Sequence, residues 1–196
     1  NFSKARFHQI STDEIYGSSK IEKFSEQSKI RPNSPYSASK ASADLLVRSF
    51  NKTYGLDTTI SVSSNNYGPN QHREKFIPKI IESLNKNQSI PIYGSGNNIR
   101  DWIYVIDNCR AIDLIYNNSK IGETYNIGGG NEFSNLELVK LIGKLVNIKP
   151  KIKFIKDRPG HDFRYSVCTS KIKNELNFSN QHDFKKTMKK YLKLYL

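Results

Sequence analysis

The stretch ISTDEIYG, residues 10–17, sets Asp13 and Glu14 side by side where an apolar strand runs into a turn. Two neighbouring carboxylates repel, so one tends to keep its proton while the other stays ionised. Such a pair offers an acid and a base together, as the elimination of water requires. Taken alone, the same pair could equally cap or solvate a loop. Tyr36 and Lys40 lie four residues apart, which puts them on one face of a helix. An ammonium beside a phenol favours the phenolate, so Lys40 should lower the pKa of Tyr36 and make it a base near neutral pH. Many surface helices carry Tyr and Lys at this spacing with no such role. Together with Thr12, which can hydrogen-bond a sugar hydroxyl, the four groups form a constellation around one carbon skeleton.

The elements that must position these groups are legible from pattern. ARFHQIST reads as a strand and YSASKASADLLVRSFNKTY as a long helix, with Ser34 as N-cap, Pro35 in the first turn and Gly55 at the C-cap. DTTISVSS reads as a buried strand, and KFIPKIIESLNKN as a helix with Ile77, Ile80, Ile81 and Leu84 inward. SIPIYG and RDWIYV are strands on either side of the turn SGNN. DNCRAIDLIYNNS is helical, ETYNIGGG a strand into a glycine turn, SNLELVKLIGKLVN a helix, KIKFIK a strand and DRPGHDFRY a loop. The C-terminus is helical, with Phe184, Met188, Tyr191, Leu192 and Tyr195 on one face. Strands alternating with helices point to an α/β domain with parallel strands. IGGGNE follows a strand but lacks the G-x-G-x-x-G spacing of a pyrophosphate loop.

With 196 residues the chain can bury one full core, or a core plus a small lobe. No apolar run approaches the roughly 18 residues that span a membrane, and no signal-peptide pattern opens the sequence. Cys109 and Cys168 are far apart and the four histidines are scattered, so no metal site is expected and a reducing cytoplasm is the default. The net charge of +13 raises nucleic-acid binding as an alternative. Lysines on solvated helix faces account for most of that charge, and the excess would still attract a diphosphate.

The motifs STDEIYG, NSPYSASKASADLLVRSF, SNNYGPNQHREKFIPKII, PIYGSGNNIRDWIYVIDNCRAIDL, ETYNIGGGNE and DRPGHDFRY, in this order, closely resemble the dTDP-glucose 4,6-dehydratase family. These are extended short-chain dehydrogenases/reductases acting on sugar nucleotides. Related epimerases keep the tyrosine and lysine but lack the adjacent Asp–Glu pair. The resemblance implies the C-terminal part of a Rossmann-type doubly wound parallel sheet plus a smaller mixed α/β substrate-binding lobe. Residues 1–70 would be the remainder of the NAD-binding domain with the catalytic residues. Residues 71–196 would be mainly the sugar-nucleotide lobe, with some segments returning to the Rossmann sheet.

By the same resemblance, Tyr36, helped by Thr12 and Lys40, would take the 4-hydroxyl proton while hydride passes from C4 to NAD. Glu14 would remove the C5 proton and Asp13 would protonate the departing 6-hydroxyl. Tyr36, Lys40 and Asn66 would lie at the nicotinamide, and Asn65, Lys75 and Phe76 at the sugar and diphosphate. Pro91, Ile92 and Tyr93 would line the nucleobase pocket. Arg100 and the loop Asp157, Arg158, Pro159, Gly160, His161 would clamp the diphosphate and nucleoside. Arginine suits that task through its planar fork, against the alternative of a surface ion pair between Arg100 and Asp101. Asn135 and Arg164 could contact substrate or simply be solvated.

Phe163 stands where an arginine is common in the family, and HREKF replaces a more usual aromatic–proline pair, so UDP-glucose stays open beside dTDP-glucose. Family members begin with a glycine-rich loop and several βα units ahead of the STDE strand, on the order of 100 residues. Their absence here implies a separate N-terminal half or a poorly behaved fragment, with RFHQIS left as an apolar edge. A homodimer is expected only in so far as the helix bearing Tyr36 and Lys40 supports one. A non-catalytic sugar-nucleotide binder and an epimerase remain the alternatives.

Overall fold

In the computed structural model, residues 5–196 are described. Strand β1 (Phe7–Thr12) ends in a 3-10 turn, Asp13–Tyr16, and a long irregular segment leads to helix α1 (Pro35–Tyr54). The helix starts where expected. The Ser34 hydroxyl accepts from the Ser37 N–H, Ser37 caps back, and Pro35 occupies the first turn. It stops at Gly55, whose left-handed conformation (φ 66°) most side chains resist. Strand β2 (Thr58–Ser63) follows, buried along its whole length because it lies between β1 and β6 (Thr124–Ile127). All three strands are parallel, and the register aligns Thr12 with Ser63 and Ser63 with Ile127. Ligands of open α/β sheets bind beyond the carboxyl ends of the strands, and Asp13 and Glu14 begin there.

After β2 the chain leaves this sheet through β3 (Asn65–Tyr67) and helix α2 (Phe76–Asn85). Ile77, Ile80, Ile81 and Leu84 are buried as their spacing predicts. They join Leu138, Val139 and Ile142 of α4 (Asn135–Leu145) and Phe184, Met188, Tyr191 and Leu192 of α6 (Phe184–Leu192) in the largest core cluster. Tyr195 stays half-exposed against Tyr191. A second cluster packs α3 (Val105–Asn118) and α5 (Ser170–Leu176) around Tyr125 and Ile127 of β6.

Three features go beyond the pattern-based reading. The strands β4 (Ile90–Tyr93) and β5 (Ile99–Tyr104) flank the SGNN turn but do not pair with each other. Strand β4 pairs in parallel with β8 (Ile152–Ile155), while β5 lies between β3 and β7 (Glu132–Ser134). The DRPGHDFRY loop ends in a short strand, β9 (Arg164–Tyr165), parallel to β5. The glycines of IGGGNE, in turn, let backbone approach backbone. A Cβ on Gly129 would lie 1.9 Å from the Trp102 carbonyl oxygen, and Asp101 accepts the N–H groups of Gly129 and Asn131.

The inward stripe of α1 is Ser37, Ala41 and Asp44, so the helix lies close on the sheet and leaves Leu45, Leu46, Phe50 and Tyr54 exposed. Strand β1 pairs only with β2 among the described residues, and Phe7 and Ile10 on it are half-exposed. Phe7, Leu46, Phe50 and Leu56 line an apolar groove between strand and helix.

Candidate active site

Thr12 closes β1 in extended conformation, and its hydroxyl accepts the Glu14 N–H, which starts the 3-10 turn. That turn drives Asp13 inward, to 2% exposure, with Oδ2 lacking any partner among the described residues. Burial, then the charges of Asp101 and Glu14, push the Asp13 carboxyl well above its ordinary range. Glu14 is less enclosed. Burial raises its pKa, and Arg100, Arg158 and Lys75 pull against that rise. The adjacent carboxyls thus differ in surroundings: Asp13 is enclosed, which favours its protonated form, and Glu14 faces cations.

Tyr36 sits in the first turn of α1 and is 56% exposed. The expectation that Lys40 lowers its pKa is corrected here: burial, then the charges of Glu14 and Asp13, raise it. The Lys40 ammonium instead donates to the Ile10 carbonyl at 2.6 Å. The two side chains share a helix face, but a strand carbonyl holds the cation while the carboxylates act on the phenol. Glu14 and Asp13 are nevertheless close enough to shift Tyr36, so the strand end and the helix start do converge.

Asn65 and Asn66 on β3 are half-buried, each with a side-chain oxygen lacking a partner. Asn66 Nδ2 donates to the Ser64 carbonyl. Lys75 caps α2 with its side chain exposed, and Phe76 leans on the large core. Pro91 and Tyr93 are exposed on β4, but Ile92 between them is 1% exposed and belongs to that core. Strand alternation sends it away from any pocket its neighbours line. Arg158, Pro159 and Gly160 are exposed, whereas the His161 ring lies edge-on to Tyr93 with Nδ1 2.7 Å from Asp157 Oδ1. Burial lowers the His161 pKa, with Asp157 opposing. Asn135 opens α4 half-buried, its N–H donating to the Asn98 carbonyl.

Arg100 is buried and forms no ion pair with Asp101. Its guanidinium donates to the carbonyls of Ile99, Asp162 and Phe163 and stacks 4.2 Å over the Tyr165 ring. Asp101, its neighbour on the strand, points to the glycine turn. Arg164 is committed to structure: it pairs with Glu132 and donates to the carbonyls of Ile21 and Glu22, leaving none of its nitrogens for a ligand. Arg100, Arg158 and Lys75 therefore surround Glu14, a cationic wall fit for a diphosphate, with His161 beside Arg100 and Arg158. The orphaned oxygen of Asn66 and the Lys40 ammonium are groups that could hold a nicotinamide riboside.

Sequence reasoning missed four buried carboxyls, among them Asp107, which accepts the Gln181 and His182 N–H groups. Asp101 holds the glycine turn. Asp162 accepts from Asn33, next to the α1 N-cap, and from the Tyr165 hydroxyl, each at 2.6 Å. Asp44 accepts from Ser11. Only Asp44 had a visible signal, as the polar member of the stripe that continues Ser37 and Ala41.

The model of the family described as GDP-mannose 4,6 dehydratase matches residues 1–191. The chain is 46% identical to a dTDP-glucose 4,6-dehydratase of Haemophilus influenzae, over 97% of this chain and 61% of that protein. It is 49% identical to the low-salt glycan biosynthesis protein Agl12 of Haloferax volcanii, over 86% of this chain and 54% of that one. The fold superimposes on a dTDP-glucose 4,6-dehydratase of Streptomyces venezuelae solved with NAD bound, with a TM-score of 0.95 at 41% identity, covering 97% of this chain and 59% of that chain. A UDP-glucuronic acid 4-epimerase of Bacillus cereus gives 0.90 at 27% identity, covering 96% and 62%. The chain spans between half and about three-fifths of the length of the curated relatives it matches.

Proposed function

The chain belongs to the family that the GDP-mannose 4,6 dehydratase model describes, and from that premise we propose that it carries the proton-transfer and sugar-binding part of an NAD-dependent dTDP-glucose 4,6-dehydratase. The observation that carries this reading is the enclosed Asp13, its pKa raised by burial, beside the cation-facing Glu14 at the strand end next to Tyr36. An epimerase needs only one proton donor–acceptor at the 4-hydroxyl. Loss of water needs an acid and a base of unlike pKa as well.

When bound, NAD would supply the acceptor for hydride from C4 and its later return to C6. Asn66 and Lys40 are the groups on this chain that fit it. Tyr36 takes the 4-hydroxyl proton, with Thr12 holding that oxygen. Because burial, then the carboxyls, raise its pKa, Tyr36 needs a cation, and Lys40 would supply one on leaving the Ile10 carbonyl. The 4-ketone then acidifies the C5 hydrogen, which leaves as a proton to Glu14. Asp13 gives its proton to the 6-hydroxyl, which departs as water and leaves a C5–C6 double bond; with the hydride returned at C6, Glu14 would give its proton back to C5, completing the 4-keto-6-deoxy sugar. Arg100, Arg158 and Lys75 face the diphosphate, with Asn65, Phe76 and Asn135 nearer the sugar. Pro91, Tyr93, His161 and the turn at Asp157, Pro159 and Gly160 border the base.

On the same reading residues 1–70 form the cofactor-side domain and residues 71–196 mainly the sugar-nucleotide lobe. The pairing of β6 with β2 supports a return of the later segment to the first sheet. The exposed apolar face of α1 and the edge of β1 are the surfaces a second copy or a separate N-terminal half would cover. No described helix is long and apolar enough to cross a membrane, and we assign the reaction to the cytoplasm.

Incubation with dTDP-glucose and NAD, followed by mass spectrometry, tests the reading, with UDP-glucose and GDP-mannose in parallel. Loss of one water that vanishes in Glu14→Gln is the expected outcome. Water loss from UDP-glucose alone would replace the substrate, and a C4 epimer of unchanged mass would replace the reaction. Tight binding without turnover, whatever the cofactor supplied, would leave a sugar-nucleotide-binding module.

A further inference from the structure

The helix that carries Tyr36 and Lys40 also carries a carboxyl that the chemistry above does not use. Asp44 is 1% exposed, one turn beyond Lys40 on the face turned to the sheet. Its Oδ2 accepts the Ser11 hydroxyl at 2.5 Å, and its Oδ1 has no partner among the described residues. The two cations that flank it on the helix are engaged elsewhere: Lys40 donates to the Ile10 carbonyl and Arg48 to the Thr124 hydroxyl. A carboxyl buried without a contacting cation is costly to keep. A second apolar residue after Ala41 would pack the same stripe without that cost.

What Asp44 holds is the residue immediately before Thr12. Lys40 and Asp44 grip consecutive residues of β1, Ile10 and Ser11, and the Gln9 side chain of the same strand also acts on Asp44. In the reaction proposed above Lys40 leaves Ile10, and the Asp44 carboxyl, through Ser11 above all, is then what still ties this helix to the strand end. We propose that Asp44 is a positioning residue: its buried hydrogen bond to Ser11 holds the strand end bearing Thr12, Asp13 and Glu14 in register with the helix bearing Tyr36 and Lys40. This rests on the dehydratase reading of the site. Reacting groups on two separate elements must meet on one sugar, and a displacement of about 1 Å between them lowers turnover on the order of 100-fold.

The test compares Asp44→Ala, Asp44→Asn, Ser11→Ala and the Asp44→Ala/Ser11→Ala double variant, in turnover of dTDP-glucose and in amide exchange. Expected are kcat values lower by about 10- to 100-fold in each alanine variant with KM within about twofold, since only the alignment of reacting groups is lost. The double variant should be no slower than the slower single one, because both remove the same bond. Asp44→Asn should recover most of the rate, as its amide oxygen still accepts from Ser11. Amides of residues 10–14 should exchange faster in the alanine variants and regain protection in Asp44→Asn. A folded Asp44→Ala with unchanged kcat would overturn the proposal, as would an Asn variant as slow as the Ala variant, or KM and kcat failing together. If Asp44→Ala does not fold, Ser11→Ala and Asp44→Asn carry the comparison. A wild-type chain that never releases water defeats the dehydratase reading instead. The tie then stands on the exchange pattern, and unaltered protection at 10–14 overturns it too.

Discussion

Asp13, with an oxygen that has no partner and 2% of its surface exposed, pays for any negative charge in lost hydration. In the unfolded chain it ionises near 3.8, whereas the folded protein keeps the proton to higher pH. Folding therefore takes up a proton between those two values, and stability falls as pH rises through that window. Asp13→Asn has no proton to lose. Its melting temperature should exceed the parent's at about pH 8 and match it once the pH drops below the unfolded value, which differential scanning fluorimetry at both pH values checks. The same substitution separates the two carboxyls in chemistry. Asp13→Asn should slow water release by roughly 10²- to 10⁴-fold while uptake of solvent deuterium at C5 continues, and Glu14→Gln should abolish that uptake. Deuterium uptake lost equally in both variants would reverse the assignment of base and acid. At this scale the types and neighbours of Asp13, Glu14, Tyr36 and Lys40 were legible in the sequence. The direction of the Tyr36 shift was not, because it depends on which charges end nearest the phenol.

Elements were legible wherever their signals are local. The cap Ser34, the stop at Gly55 and the apolar spacing of α2 each act within a turn or two of chain. Pairing partners were not: β4 meets β8 and β5 meets β9, and no local pattern encodes a parallel partner some sixty residues away. The glycine turn after β6 shows the same division. Its composition suggests a loop, but only the packing separates the roles of its members. A Cβ at Gly129 would collide with the Trp102 carbonyl, which belongs to a strand and cannot yield, while Gly130 faces open space at a φ of 69°. Gly129→Ala should accordingly cost about 3 kcal/mol or prevent folding. Gly130→Ala should cost about 1 kcal/mol through backbone strain alone. Urea unfolding of both variants distinguishes them, and equal losses would count against the close approach.

For the whole molecule the net charge of +13 is a field as well as a solubility device. Lys75, Arg100 and Arg158 concentrate part of it around Glu14. Affinity for the sugar nucleotide should fall about tenfold between roughly 50 and 300 mM salt, and by less in Arg158→Ala. Titration calorimetry across the salt series checks this, and a flat response would remove the cationic wall from binding. The apolar face of α1 carries a separate expectation, that Leu46→Glu and Phe50→Glu reduce concentration-dependent association in sedimentation velocity. What the sequence by itself determined is what short-range chemistry can specify: Thr12, Asp13, Glu14, Tyr36 and Lys40 as a candidate acid–base set, the helix that presents two of them, and the α/β alternation. Tertiary structure alone decided that Asp13 is sealed with its pKa raised, that Arg164 pairs with Glu132 and Ile92 packs in the core, that Lys40 rests on Ile10, and that Asp44 reaches Ser11. Each of these depends on burial and on contacts between residues distant along the chain, which periodicity within a segment does not carry.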